Sequence, residues 1–197
     1  MKSLYYFIVK PLNDRYDNTR TVAGTDLIIN SGIEDHRFIS KKAVVVSTPA
    51  AYTTKINIGD ELYIHHNIFR RWYDQKGNER NSSTHFKDDL YFVSPGQIYM
   101  YNLKPHLDYC FVKPLKNQNL LENRKEQPNV GIVKYTNNAL EAVGITPGTL
   151  ITFTPNSEFE FIIEGERLYC MKSNDIALTH EYQGNEEENN PSWAKSS

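Results

Sequence analysis

The sequence predicts an all-β protein built from two small, related units, and three observations carry that prediction. Its apolar runs are short, rich in Val, Ile, Tyr and Phe, and separated by Gly, Pro and Asn, the pattern of strands joined by turns. A stretch close to the N-terminus returns just past the middle of the chain. Few segments show the periodicity of a long helix.

The repeat can be followed in order. Leu4-Tyr5-Tyr6-Phe7-Ile8-Val9-Lys10-Pro11-Leu12 returns as Leu107-Asp108-Tyr109-Cys110-Phe111-Val112-Lys113-Pro114-Leu115. Both read as strands stopped by a proline, which has no N–H to give a ladder. Lys42-Ala43-Val44-Val45-Val46 then pairs with Val130-Gly131-Ile132-Val133. Ile58-Gly59-Asp60-Glu61-Leu62-Tyr63-Ile64 follows, against Thr146-Pro147-Gly148-Thr149-Leu150-Ile151-Thr152, each with a glycine in the turn that launches a strand. Last, Asp89 to Met100 matches Arg167 to Leu178. Four landmarks recurring in one order imply two homologous small β domains, residues 1–103 and 104–182. Residues 183–197, acidic and polar through Glu186, Glu187, Glu188, Asn189 and Asn190, read as a disordered tail.

Composition narrows the function. The chain has 197 residues, 39% hydrophobic and 23% charged, enough for a real core. A net charge of -2 gives no basic field for nucleic acid. No run approaches the roughly 18 apolar residues of a membrane span, and no signal-peptide core opens the chain. The expectation is a cytoplasmic protein without membrane or nucleic-acid partners. Cys110 and Cys170 lie in apolar, strand-like runs and read as buried free thiols. His65-His66 is a tempting metal pair, but neighbours on a strand would point to opposite faces. Arg70-Arg71-Trp72-Tyr73 could stack on bases, although a hairpin tip or subunit interface is the more ordinary reading. Asp88-Asp89 and Glu186 to Glu188 read as solvated charges. No phosphate-binding glycine loop, nucleophile–base pair or spaced carboxylate dyad appears, so neither an enzyme nor a cofactor site is expected.

The units differ in their loops. Between its first two strands the first unit carries a long polar segment, about residues 13–37, where the second has only Lys116 to Asn129. Within the longer one, Thr19 to Gly32 holds three aliphatic residues, Leu27, Ile28 and Ile29, in polar, glycine-punctuated surroundings. Such a triplet is either a short buried strand or an apolar tip held out for a partner. The first unit also inserts Arg70 to Lys87, charged but carrying Trp72, Tyr73 and Phe86.

These residues resemble the GroES-type co-chaperonins, the lid proteins of the chaperonin folding chamber. Phe7-Ile8-Val9-Lys10 and Phe111-Val112-Lys113 are similar to that family's opening strand. Ile58 to Ile64 is similar to its Gly-Asp turn and strand, and Leu168-Tyr169-Cys170-Met171-Lys172-Ser173-Asn174-Asp175-Ile176-Ala177 to its closing motif. Ala23-Gly24-Thr25-Asp26-Leu27-Ile28-Ile29 falls where the family's mobile loop belongs, and Leu-Ile-Ile resembles the phage-encoded version. The resemblance covers about residues 4–101 and 107–182. It implies two tandem GroES-like β-barrels in a homo-oligomeric, heptameric ring that binds a GroEL-type chaperonin through Gly24, Leu27, Ile28 and Ile29. It implies no activity of the chain's own, since the partner hydrolyses ATP. Ser47 to Thr54 is too short for the roof hairpin of cellular members, and the second unit lacks a matching triplet. A structural or adaptor protein, such as a virion assembly component, is the competing expectation.

Overall fold

A computed structural model describes residues 3–17, 19–22, 25–28, 35–117, 125–181 and 186–196. The chain separates into two compact units, residues 1–102 and 103–197. The first contains β1 (Phe7–Pro11), β2 (Thr19–Val22), β3 (Thr25–Ile28), β4 (Lys42–Ser47), β5 (Glu61–Ile64), β6 (Arg71–Tyr73), β7 (Glu79–Asn81), β8 (His85–Lys87), β9 (Leu90–Val93) and β10 (Ile98–Tyr101). The second contains β11 (Lys104–Pro105), β12 (Tyr109–Lys116), β13 (Glu126–Tyr135), α1 (Asn138–Ala142), β14 (Leu150–Phe153), β15 (Phe159–Ile163), β16 (Glu166–Lys172) and β17 (Ile176–His180). The protein is mostly β, in antiparallel sheets. Among the described residues neither main sheet closes on itself through strand pairing.

The internal repeat extends to the hydrogen-bond ladder. Within the first unit the strands run β10-β5-β4-β1-β9-β8, and within the second β17-β14-β13-β12-β16-β15. Phe7, Ile8 and Val9 of β1 face Val93, Phe92 and Tyr91. Cys110, Phe111 and Val112 of β12 face Met171, Cys170 and Tyr169, the residues the sequence repeat places there. Val9, Lys10 and Pro11 pair with Val45, Val44 and Ala43, as Val112, Lys113 and Pro114 pair with Val133, Ile132 and Gly131. Both ladders slip by a bulge just before this run. The turn glycines correct the sequence alignment by one residue: Gly59 and Gly148 are equivalent, with φ of 92° and 94°. Each N–H is bonded to the matching valine carbonyl, Val45 at 2.9 Å and Val133 at 2.8 Å. Positive φ is the conformation glycine adopts without steric cost.

Each sheet buries one face. In β4 the burial alternates, with Ala43, Val45 and Ser47 inward, as the two-residue period of a pleated strand requires. Phe7, Val9, Val45, Leu62, Ile64, Tyr91 and Ile98 form the first core. Cys110, Val112, Val133, Leu140, Ile151, Phe153 and Met171 form the second. Cys110 and Cys170 are buried free thiols. Burial pushes the Cys110 thiol up to about 12, and Cys170 is also raised well above its ordinary value, mainly by burial.

Three expectations change. The repeat's proline does not stop the second strand, since Pro114 lies within β12. The ladder to β16 has already ended at Val112–Tyr169, so the missing N–H forfeits no bond there. Residues 186–196 differ from the disordered tail the sequence suggests. Leu115 and Glu188 form an antiparallel bridge, and Ala194 is fully buried. Their acidic side chains meet Lys113 and Lys116, a pairing across more than 70 residues that local composition could not announce. The short helix α1 is capped by the Asn137 side chain on the Leu140 N–H at 3.1 Å, and its five residues are too few to show a helical period.

Gly131 provides a test of the ladder. A Cβ there would lie 2.4 Å from Val112 Cγ1 and 2.6 Å from the Lys113 carbonyl oxygen, an atom of the backbone. Gly131→Ala should therefore destabilise the protein by about 1–3 kcal/mol, read as a lower urea midpoint, even though Ala43 occupies the equivalent position in the first unit.

Candidate functional site

The long segment of the first unit is tied down at both ends. On the way out, Arg15 C=O accepts from Ser40 N–H at 2.9 Å, and Asp17 N–H donates to Phe38 C=O at 2.8 Å. Tyr16 and Ile39, both buried, form an antiparallel bridge between these bonds. The Tyr16 hydroxyl accepts from Arg71 N–H at 2.9 Å, and the Arg71 guanidinium lies over the Tyr16 ring, 4.6 Å from its centroid. Arg15 donates to Phe69 C=O at 3.0 Å and lies over the Tyr91 ring at 5.2 Å. An aromatic face attracts a guanidinium through its quadrupole, so these contacts fasten the foot of the segment to the start of the inserted stretch Arg70 to Lys87. Asp35 receives two hydrogen bonds from the Arg37 side chain, at 3.0 and 2.7 Å. They hold its carboxyl down at about 2.

Beyond the anchor the chain turns back on itself. Thr19 to Val22 pair with Ile28 to Thr25, as Thr19↔Ile28, Arg20↔Leu27, Thr21↔Asp26 and Val22↔Thr25. The hairpin makes a two-stranded sheet of its own. Of the four residues the sequence assigns to chaperonin binding, Leu27 and Ile28 belong to β3, while Gly24 and Ile29 lie outside the described residues. A short strand over the triplet is one of the two sequence readings, but its pairing with Thr19–Val22 is not among them, because Thr and Arg make up most of β2. Nor did the sequence single out Arg15 or Tyr16. A large aromatic ring inside a polar stretch was the available signal.

One other feature differs from its sequence reading. His65 and His66 do not project from opposite faces of a strand. His65 caps a 3-10 turn, His66–Ile68, by accepting the Asn67 N–H on Nδ1 at 3.1 Å. The two rings stack with centroids 4.4 Å apart, and the His36 ring is 5.7 Å from that of His66. Burial first, then the nearby His65, His36, Lys41 and Arg70, depress His66 to about 4. Burial also lowers His65. Among the described residues no three His, Cys, Asp or Glu side chains form a group that could hold a metal.

The Arg70–Tyr73 stretch is one arm of the β6–β7 hairpin, pairing Trp72 with Arg80. Its tip is organised by Asp74, whose carboxylate accepts from the N–H groups of Lys76 and Asn78, both at 2.9 Å, and from Arg80 Nε at 3.0 Å. Trp72, Tyr73 and Phe86 are 41%, 52% and 41% exposed, an aromatic surface on this inserted element.

No model of a known protein family matches the chain, and no curated protein matches it.

Two outcomes follow from the anchor. Removing the Tyr16 hydroxyl strands the Arg71 N–H, so Tyr16→Phe should cost about 1–3 kcal/mol, measured by denaturant unfolding. The histidines give a pH dependence with a fixed sign. The folded chain keeps His66 neutral down to about 4, whereas an unfolded chain protonates it near 6.5. Unfolded molecules therefore bind more protons between these values. Stability should be full above about 6.5 and should fall as pH drops toward 4, and thermal unfolding of His66→Gln across that window should show a shallower fall.

Proposed function

We propose that this chain is a co-chaperonin, a non-enzymatic lid of two tandem GroES-like β-barrel units that assembles as a ring and caps a GroEL-type chaperonin. It would assist ATP-dependent folding, with the nucleotide hydrolysed by the partner. One observation carries the reading: among the described residues the β2–β3 hairpin pairs only with itself, and it is bound to the first unit at its foot. A contact element needs both a firm attachment and a stretch of chain outside the main sheet. Leu27 and Ile28 fall on that stretch. The shared strand order and register of the two units support the tandem arrangement.

Magnitudes favour a lid that binds through many weak contacts. Leu27, Ile28 and Ile29 would each contribute roughly 1.5–3 kcal/mol on burial in an apolar groove, about 5–9 kcal/mol together. Ordering the segment costs roughly 1–2 kcal/mol per residue fixed, and an isolated two-stranded hairpin supplies little stability of its own. One segment therefore binds weakly. Several on one ring gain roughly 10²–10⁴ in avidity over a single contact. Weak single contacts also let the lid leave when its partner changes state.

Sedimentation of the purified chain with a GroEL-type chaperonin, with and without ATP, tests the proposal. The expected result is nucleotide-dependent co-sedimentation that Ile28→Asp abolishes while its circular dichroism and melting stay unchanged. A mutant that unfolds would identify the triplet as core. A wild-type chain that ignores the chaperonin would shift the reading to a structural or adaptor protein.

A further inference from the structure

Because the two units share one ladder, each shows what the other lacks. In the second unit β12 parts from β16: their pairing ends at Val112–Tyr169, although β16 extends to Glu166 and Pro114, Leu115 and Lys116 continue β12. The C-terminal segment completes that edge. Lys116 N–H donates to Glu187 C=O at 2.7 Å, and Asn189 N–H donates to Pro114 C=O at 2.8 Å. Lys113 Nζ lies 2.8 Å from both carboxylate oxygens of Glu188.

In the first unit the equivalent run is Lys10-Pro11-Leu12-Asn13, beyond the last β9 pair at Val9–Tyr91. Leu12 N–H is bonded on the other side, to Lys42 C=O at 3.1 Å, so Pro11 C=O and Asn13 N–H face the side that the tail fills in the second unit. Among the described residues neither has a hydrogen-bond partner, and Lys10 has no ion-pair partner. The edge backs an open cavity of about 570 Å³, walled also by Arg15 and Arg71. Nε of each arginine is buried without a hydrogen-bond partner among the described residues. Buried donors left without an acceptor are costly. Arg71 is already paired with Glu79, and Asp14 and Asp89 also line the cavity. The attraction for an acid therefore rests on Lys10 and Arg15.

We propose that this edge of the first unit accepts an extended acidic peptide segment of another protein as an added strand. The segment lies antiparallel to β1, takes backbone bonds from Asn13 N–H and to Pro11 C=O, and sets a glutamate or aspartate on Lys10. Strand addition of this kind draws affinity from the main chain and specificity from side chains at alternate positions. The tail of a second copy is a poorer occupant. To reach this edge it must leave the matching bonds in its own second unit, whereas a foreign segment adds bonds without losing any.

A fluorescent peptide of residues 186–196 is the probe, added to the full chain and followed by anisotropy. The resident tail already holds the second-unit edge, so the probe should bind one site. Lys10→Glu should weaken it at least tenfold, and a probe with Glu188→Lys should recover affinity for that variant. Lys10 is exposed, and circular dichroism should show the variant folded. Three results would overturn the proposal: no binding; binding lost in Lys113→Glu but kept in Lys10→Glu, which is tail exchange; or self-association of the free chain that Lys10→Glu dissolves, which makes the occupant a second copy. No chaperonin is present in this assay, so its failure leaves the co-chaperonin proposal standing.

Discussion

Each unit depends on one strand that is hydrogen-bonded on both sides and then loses one neighbour at a proline. β1 is held between β4 and β9, and β12 between β13 and β16. Where Pro11 and Pro114 remove an N–H from the β9 and β16 side, the ladder there has ended, while pairing on the opposite side continues. A proline in a central strand normally costs a bond. Here it falls just past the last pair with the neighbouring strand and loses none. The arrangement leaves a half-paired stretch after each proline, and the two units treat it differently.

In the second unit that stretch is covered by the chain's own C-terminal residues, fastened by the Lys113–Glu188 and Lys116–Glu187 pairs. The latter pair is largely exposed, and exposed ion pairs contribute at most about 1 kcal/mol each. The main-chain bonds and the buried Ala194 therefore fix the position, and the charges select the register. In the first unit the chain instead leaves the edge and runs into Arg15 and Tyr16, which brace the foot of the long segment against Phe69, Arg71 and Tyr91. One shared strand order thus supports a strapped edge in one unit and, among the described residues, an unpaired edge beside an anchored hairpin in the other.

The histidine stack adds a second constraint near that hairpin's return. His65 accepts a backbone N–H on Nδ1, which places its ring proton on Nε2. Protonating Nδ1 would set a donor against a donor. Burial disfavours the charged form of both rings, so geometry and desolvation agree in keeping the pair neutral. What the strand reading of adjacent histidines missed is that β5 ends at Ile64, which frees the next residue to cap a turn.

Strand character, the repeat and most of its register are legible in the residues alone, because alternating burial and turn chemistry act over a few residues and leave a local pattern. Phe7 to Val9 aligns with Cys110 to Val112 on residue pattern alone, and so does Tyr91 to Val93 with Tyr169 to Met171. The turn glycines slipped by one residue, since Pro147 and Gly148 both suit a turn and only the carbonyl of Val133 distinguishes them. The apolar triplet could be located, but not its β2–β3 pairing. Only the tertiary fold sets the Tyr16–Arg71 anchor and the strapping of β12 by residues 187–190. Those depend on partners about 55 to 75 residues apart, and no local pattern encodes which distant strand will end where another continues.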